Sequence, residues 1–209
     1  MCNHHPLPEL LAGYATGSVS DGVSLAIAAH LTYCPSCRQT VRDLERLAGA
    51  MVEVEAPVDA PSFDSIRDRL DDGFVPDSDP IITDAGPLPR AVAVAVGTNF
   101  ADIPWKFRLP GVSEYEFQSL DGETVSLLRV KPGAKIPKHT HMAEELTVIF
   151  AGTLVDGEDE FYAGDMAVAD PSVDHQPQAG GDEYCICLAV VHGGLRFTGP
   201  LGRALNLFT

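Results

Sequence analysis

Two clusters of side chains in this sequence have types and spacings suited to holding a metal ion. The first lies in HLTYCPSCR, residues 30 to 38, where His30, Cys34 and Cys37 are separated by three and then two residues. Residues four apart are neighbours on a helix, so His30 meets Cys34. Pro35 suits the first turn of a new helix and not a helix interior. A helix end, a turn and a helix start thus converge one imidazole and two thiols. Zinc takes such ligands in a closed tetrahedron, so a fourth must come from elsewhere: His5 first, then its neighbour His4, then Cys2, where chains are usually mobile. Two other readings stay open. A thioredoxin-like redox pair needs a βαβ setting that this helical stretch lacks, and the thiols could simply fill a core.

The second cluster lies in GAKIPKHTHMAEELTVIFAG, residues 133 to 152. Alternate side chains of an extended strand share a face, so His139, His141 and Glu145 point one way while Thr140 and Met142 point the other. His175, in DPSVDHQP, can return to the same interior if the sheet meanders. Three histidines and a carboxylate would hold a divalent ion with one or two positions open, suiting zinc, iron, manganese or nickel. The competing reading, polar residues at an open barrel mouth, suffers from the cost of burying unpaired His and Glu.

Cys185 and Cys187 stand at i and i+2 of a predicted strand. Same-face Cα atoms are then about 6.5–7 Å apart, at or beyond the reach of a disulfide. They are expected as thiols lining the interior, either inert or redox-sensitive. His192, before a Gly-Gly pair, is expected in a surface loop.

The elements that must carry these groups fall into two textures. Up to Asp72, apolar residues recur at three and four positions in LPELLAGYATG, DGVSLAIAAHLTYC and RQTVRDLERLAGAMVEV, and PSFDSIRDRLDDG starts a helix at Ser62. Four short helices are predicted, the first ending at Gly17, the second capped by Ser20 or Asp21, and the last stopped at Gly73. Pro76, Pro80, Pro87 and Pro89 then break any regular element. After Arg90 come short β-type runs, AVAVAV first among them, punctuated by Pro-Gly, Asp-Gly, Ala-Gly and Gly-Gly pairs, which predicts eight to eleven strands in a small barrel. The expected fold class is therefore α+β with two domains: a helical metal-binding domain over 1–73, a Pro-rich linker over 74–90, and an all-β barrel over 91–209 with the second site.

Composition narrows the partners. Of 209 residues, 14 are Lys or Arg and 30 are Asp or Glu, a net charge of -16 that repels phosphate backbones and anionic lipid. Direct nucleic-acid or membrane binding is not expected, and a basic protein partner suits this field better. No apolar run approaches a membrane helix, and the first residues lack a signal-peptide layout, which predicts a cytoplasmic protein. An odd count of five cysteines in a reducing compartment favours thiols or metal ligands over a disulfide framework.

The spacing Gly133, His139, His141, Glu145, Gly152 resembles the first motif of the cupin barrels at every position, which implies a jelly-roll fold. Gly164 and His175 keep the spacing of the second motif, while Asp170, Ser172 and Ala179 replace its usual proline, glycine and asparagine. A helical H-x3-C-x2-C module followed by a cupin resembles the ChrR-type zinc-binding anti-sigma factors over nearly the whole chain. The resemblance implies that His5 completes a zinc site with His30, Cys34 and Cys37. It also implies that the helical domain sequesters an extracytoplasmic-function (ECF) sigma factor. The cupin, with a divalent metal on His139, His141, Glu145 and His175, is implied to serve its release under singlet oxygen or peroxide stress. The alternative is a cupin metalloenzyme such as a metal-dependent dioxygenase, for which the helical zinc module would be superfluous; a regulator, not an enzyme, is expected.

Overall fold

A computed structural model describes residues 2–55, 61–71, 81–117 and 123–199. Four helices come first: α1 Pro8–Thr16, α2 Asp21–Tyr33, α3 Pro35–Glu53 and α4 Phe63–Asp71. Their ends follow local chemistry. Gly17 ends α1 in the left-handed conformation at φ 66, which a residue without Cβ adopts at little cost. Ser20, not Asp21, caps α2 by accepting from the Val23 N–H. Ser62 accepts from the Ser65 N–H at 3.2 Å before α4; the expected stop at Gly73 lies outside the described residues.

AVAVAV is not a strand. Residues Arg90–Val96 form a fifth helix, α5, ended by Gly97 at φ 79. The Ala/Val alternation has a period of two, yet Val92, Ala93 and Val96 also make one helical face, and those three are the buried ones. Packing against α2 selects that face, and alanine's high helix propensity permits it. Of the expected linker, residues 81–90 are described; Leu88 is buried, and the Pro87 carbonyl accepts from the Tyr33 hydroxyl at 3.2 Å.

Twelve strands follow among the described residues. The largest sheet joins β1 Lys106–Leu109, β2 Val112–Glu116, β3 Glu123–Val130, β11 Cys185–His192, β5 Glu145–Ala151 and β8 Met166–Ala169 in that spatial order. One three-stranded sheet orders β10 Gln178–Gly180, β6 Thr153–Asp156 and β7 Asp159–Phe161; another orders β12 Leu195–Phe197, β4 His139–His141 and β9 Asp174–His175. All their pairings are antiparallel. Strands of two to four residues, such as β9 and β6, account for the excess over the expected number.

The central strands of the six-stranded sheet, β5 and β11, are buried on both faces. Ile186, Leu188 and Val190 of β11 join Leu127, Leu146 and Val148 in one core with Ala26 and Ile27 of α2, while Cys185 and Cys187 turn inward with Val130, Ile149 and Phe161. The helical segment is therefore not a separate body: α2 lies on the outside of the barrel. Gly22 permits that approach, because a Cβ there would lie 2.5 Å from Glu123 Oε2 and 2.7 Å from Val125 Cγ2. Beside it, Ser20 Oγ and His192 Nε2 both meet Glu123 Oε1. His192 is thus the last residue of β11 and partly buried against a carboxylate, not a surface-loop residue. Among the described residues no helix is long and apolar enough to cross a membrane.

Candidate metal centres

His30 lies in the last turn of α2 on its buried face, Cys34 occupies the junction, and Cys37 lies in the first turn of α3, which Pro35 opens. His5 arrives from the extended segment before α1. The four donor atoms of His5, His30, Cys34 and Cys37 all lie within 4.8 Å of one another. His5 Nδ1 is 3.4 Å from Cys34 Sγ and 3.4 Å from Cys37 Sγ. A tetrahedron with Zn–N and Zn–S bonds of usual length has edges of about 3.3–3.8 Å. His30 Nδ1–H donates to the Gly164 carbonyl at 2.7 Å, which leaves the fully buried Nε2 without a hydrogen-bond partner. A buried ring nitrogen in that condition is costly unless something takes its lone pair. The set fits a closed four-coordinate cation. His4 is not in it.

The thiols are prepared unequally. Burial opposes ionisation of Cys34, but hydrogen bonds from Ser36, Cys37 and His5 outweigh it and lower its pKa from 9.0 to about 7. Its place at the N-terminus of α3 acts in the same direction. Burial and then the neighbouring Cys34 push Cys37 up to about 12. Burial also lowers the pKa of His30, against the raising effect of the Gly164 carbonyl, so its imidazole stays neutral, as a ligand must.

The second set does not sit on one strand as expected. β4 ends at His141, the chain bends through Met142, Ala143 and Glu144, and β5 starts at Glu145 in a different sheet. The bend is held by Met142 N–H donating to Gly194 O at 3.1 Å. Pairing of His139 with His175 brings in β9. The four donor atoms of His139, His141, Glu145 and His175 again lie within 4.8 Å of one another. His141 Nε2 is 2.6 Å from Glu145 Oε2, and His175 Nε2 is 3.1 Å from His139 Nε2. His139 Nδ1–H donates to the Pro137 carbonyl at 2.7 Å, so its Nε2 is the inward donor atom. Burial resists charge on Glu145, but the two histidines outweigh it and hold the carboxyl far below the usual range. Three imidazoles and a carboxylate converge in the buried interior, with His141 Nε2 and Glu145 Oε2 only 2.6 Å apart, and this donor set fits a divalent cation.

This second set opens on a cavity of about 450 Å³ whose walls include Leu109, Leu128, Phe161, Cys187 and Phe197. That gives one side of the metal position access to a largely apolar space. The departures from the cupin pattern build their own turn: Asp170 Oδ1 accepts from Ser172 N–H at 2.8 Å and Val173 N–H donates to Asp170 O at 3.0 Å, the Asx geometry of a short acidic side chain.

Three supporting groups escaped sequence reasoning. Asp156 accepts from His175 Nδ1–H, Pro137 orients His139, and the Gly164 carbonyl orients His30. Such partners fix the tautomer and direction of a ligating imidazole. Asp156 and Gly164 act across the fold, 19 and 134 positions from their histidines, so no local spacing marks them; Pro137 is two residues from His139, but its type says nothing of where its carbonyl points.

The family model for the ChrR cupin-like domain matches residues 94–195. The anti-sigma-E factor ChrR of Cereibacter sphaeroides is 33% identical over 208 residues, covering 98% of this chain and 97% of that one. The crystal structure of Rhodobacter sphaeroides SigE in complex with the anti-sigma ChrR contains a chain 32% identical, superposing with a TM-score of 0.79 over 91% of this chain and 100% of that one.

Proposed function

Because this chain belongs to the family of the anti-sigma factor ChrR, we propose that it sequesters an ECF sigma factor and releases it under singlet-oxygen or peroxide stress, acting in the cytoplasm where sigma meets RNA polymerase. It is a regulator and not an enzyme. The helical unit, residues 1–73, binds the sigma; the cupin, 91–209, receives the signal; 74–90 link them. Zinc occupies His5, His30, Cys34 and Cys37, whose sulfur and nitrogen donors suit it. A divalent metal, zinc or iron, manganese or nickel, occupies His139, His141, Glu145 and His175, where it would supply a Lewis-acid centre facing the cavity.

The observation that carries this reading is an apolar stripe left exposed among the described residues on α3, which the metal clip anchors, with a further exposed aromatic on α4. On α3, Leu47 is 62% exposed and Met51 64%; on α4, Phe63 is 76% exposed. Leu47, Met51 and Val54 recur at helical spacing on one face, continuing from the partly buried Leu44. Exposed large apolar residues grouped in this way mark an interaction surface, and the acidic chain complements the basic surfaces of a DNA-binding partner.

The test is the double variant Cys34→Ser, Cys37→Ser. It is expected to lose the clip zinc and, with it, sigma binding in a pull-down against the co-expressed sigma. Normal sigma affinity without clip zinc would remove the clip from the mechanism. His141→Ala or Glu145→Ala is expected to keep basal inhibition and blunt release by oxidant.

A further inference from the structure

The clip is not built from the helical unit alone. The turn Tyr162–Asp165, which joins β7 to β8 in the barrel, holds one of its ligands, His30, and the segment that leads into another, His5. Gly164 offers its carbonyl to His30 Nδ1–H, and its own backbone presses on the clip so closely that a Cβ would stand 2.5 Å from Tyr33 Cβ and 2.9 Å from Cys2 Sγ. Asp165, only 1% exposed, accepts at Oδ1 from the backbone N–H groups of Asn3 at 2.7 Å and His4 at 3.2 Å, and at Oδ2 from Tyr162 N–H at 2.9 Å. Met166 N–H closes the attachment by donating to His4 O at 3.1 Å. A buried carboxylate requires such partners, and two of these three donors, Asn3 and His4, lie just before the ligand His5. At the other end of the same turn, the His4 ring lies 4.3 Å from the ring of Phe161, and Phe161 forms part of the cavity wall beside the second metal set.

We propose that Asp165 is a positioning residue for the helical metal clip: from within the barrel it fixes the segment that delivers His5, while the adjacent Gly164 fixes His30. The clip's geometry is therefore set by the wall of the barrel and not only by α2 and α3. This rests on the metal reading of the clip.

The test uses the full chain with cobalt(II) as probe, because thiolate-to-cobalt charge-transfer bands report the clip alone; the barrel set contains no sulfur. Loss of an outer-shell partner typically weakens metal affinity about 10–100-fold. Asp165→Ala is expected to weaken cobalt at the clip by a factor in that range, to alter the ligand-field bands as the His5 donor is lost, and to accelerate hydrogen exchange at the Asn3 and His4 amides, while metal at the barrel set binds as before. Asp165→Asn, which keeps one acceptor oxygen and the shape, is expected to restore part of the affinity and of the spectrum, and it carries the test should the alanine variant not fold. A folded Asp165→Ala chain with wild-type clip affinity and spectrum overturns the proposal, as does an Asp165→Asn chain no better than alanine. A wild-type chain showing no thiolate-to-cobalt band would instead remove the clip itself.

Discussion

Asp156, the last residue of β6, accepts a hydrogen bond from His175 Nδ1–H on β9, although the two strands belong to different sheets. His175 Nε2 is thereby turned toward His139 Nε2, 3.1 Å away. A carboxylate behind an imidazole fixes its tautomer and raises its basicity as a ligand, and its loss typically costs about 10–100-fold in metal affinity. Asp156→Ala is therefore expected to weaken metal at the barrel set by that factor and leave the clip unchanged, as read by competition with a chelator. Unchanged affinity would mean that β9 alone orients the ring.

The unequal thiols give the clip a pH signature. In the metal-free chain the Cys34 pKa is lowered from 9.0 to about 7, so its contribution to stability is fully present above the unfolded value and is lost as pH falls through about 7. Metal binding requires both thiolates. Above pH 7 only Cys37, raised to about 12, still has a proton to release, so clip affinity is expected to rise about tenfold per pH unit. Below pH 7 Cys34 adds a second proton and the slope steepens toward about a hundredfold per unit. Zinc competition titrations across this range read the slope directly; a flat profile above pH 7 would mean that Cys37 is already ionised.

Seating of α2 on the barrel depends on Gly22. Alanine there must displace Glu123 Oε2, Val125 or the helix itself, since its Cβ would come within 2.7 Å of the first two. Overpacking of this kind typically costs about 1–3 kcal/mol. Gly22→Ala is expected to lose stability by that amount in denaturant unfolding. A neutral result would place α2 farther from the sheet.

The exposed stripe on α3 separates binding from folding. Substitutions at exposed positions usually change stability by less than about 0.5 kcal/mol, whereas truncating an interface anchor costs about 2 kcal/mol or more. Leu47→Asp and Met51→Asp are expected to melt like the wild type and to bind sigma at least about tenfold more weakly by calorimetry. Unaltered sigma affinity in both would move the interface to another face.

What the sequence determined by itself was the local chemistry. His30 and Cys34 are helix neighbours by spacing, Pro35 places Cys37 in the next first turn, and Ser20 and Gly17 delimit α1 and α2, because each of these relations spans a few bonds and one or two turns. The strand runs with their glycine punctuation were legible for the same reason. Tertiary structure decided the rest. Val92 and Val96 fit both a strand's alternation and a helix face, and only packing against α2 made them helical. His139, His141 and Glu145 do converge, but across a bend between two sheets and not along one strand. Above all, the Gly164 carbonyl meets His30 across 134 positions, and Asp165 meets Asn3 across 162. Periodicity tells which face of α2 is apolar; it does not tell what that face covers, and only the folded chain puts the barrel there.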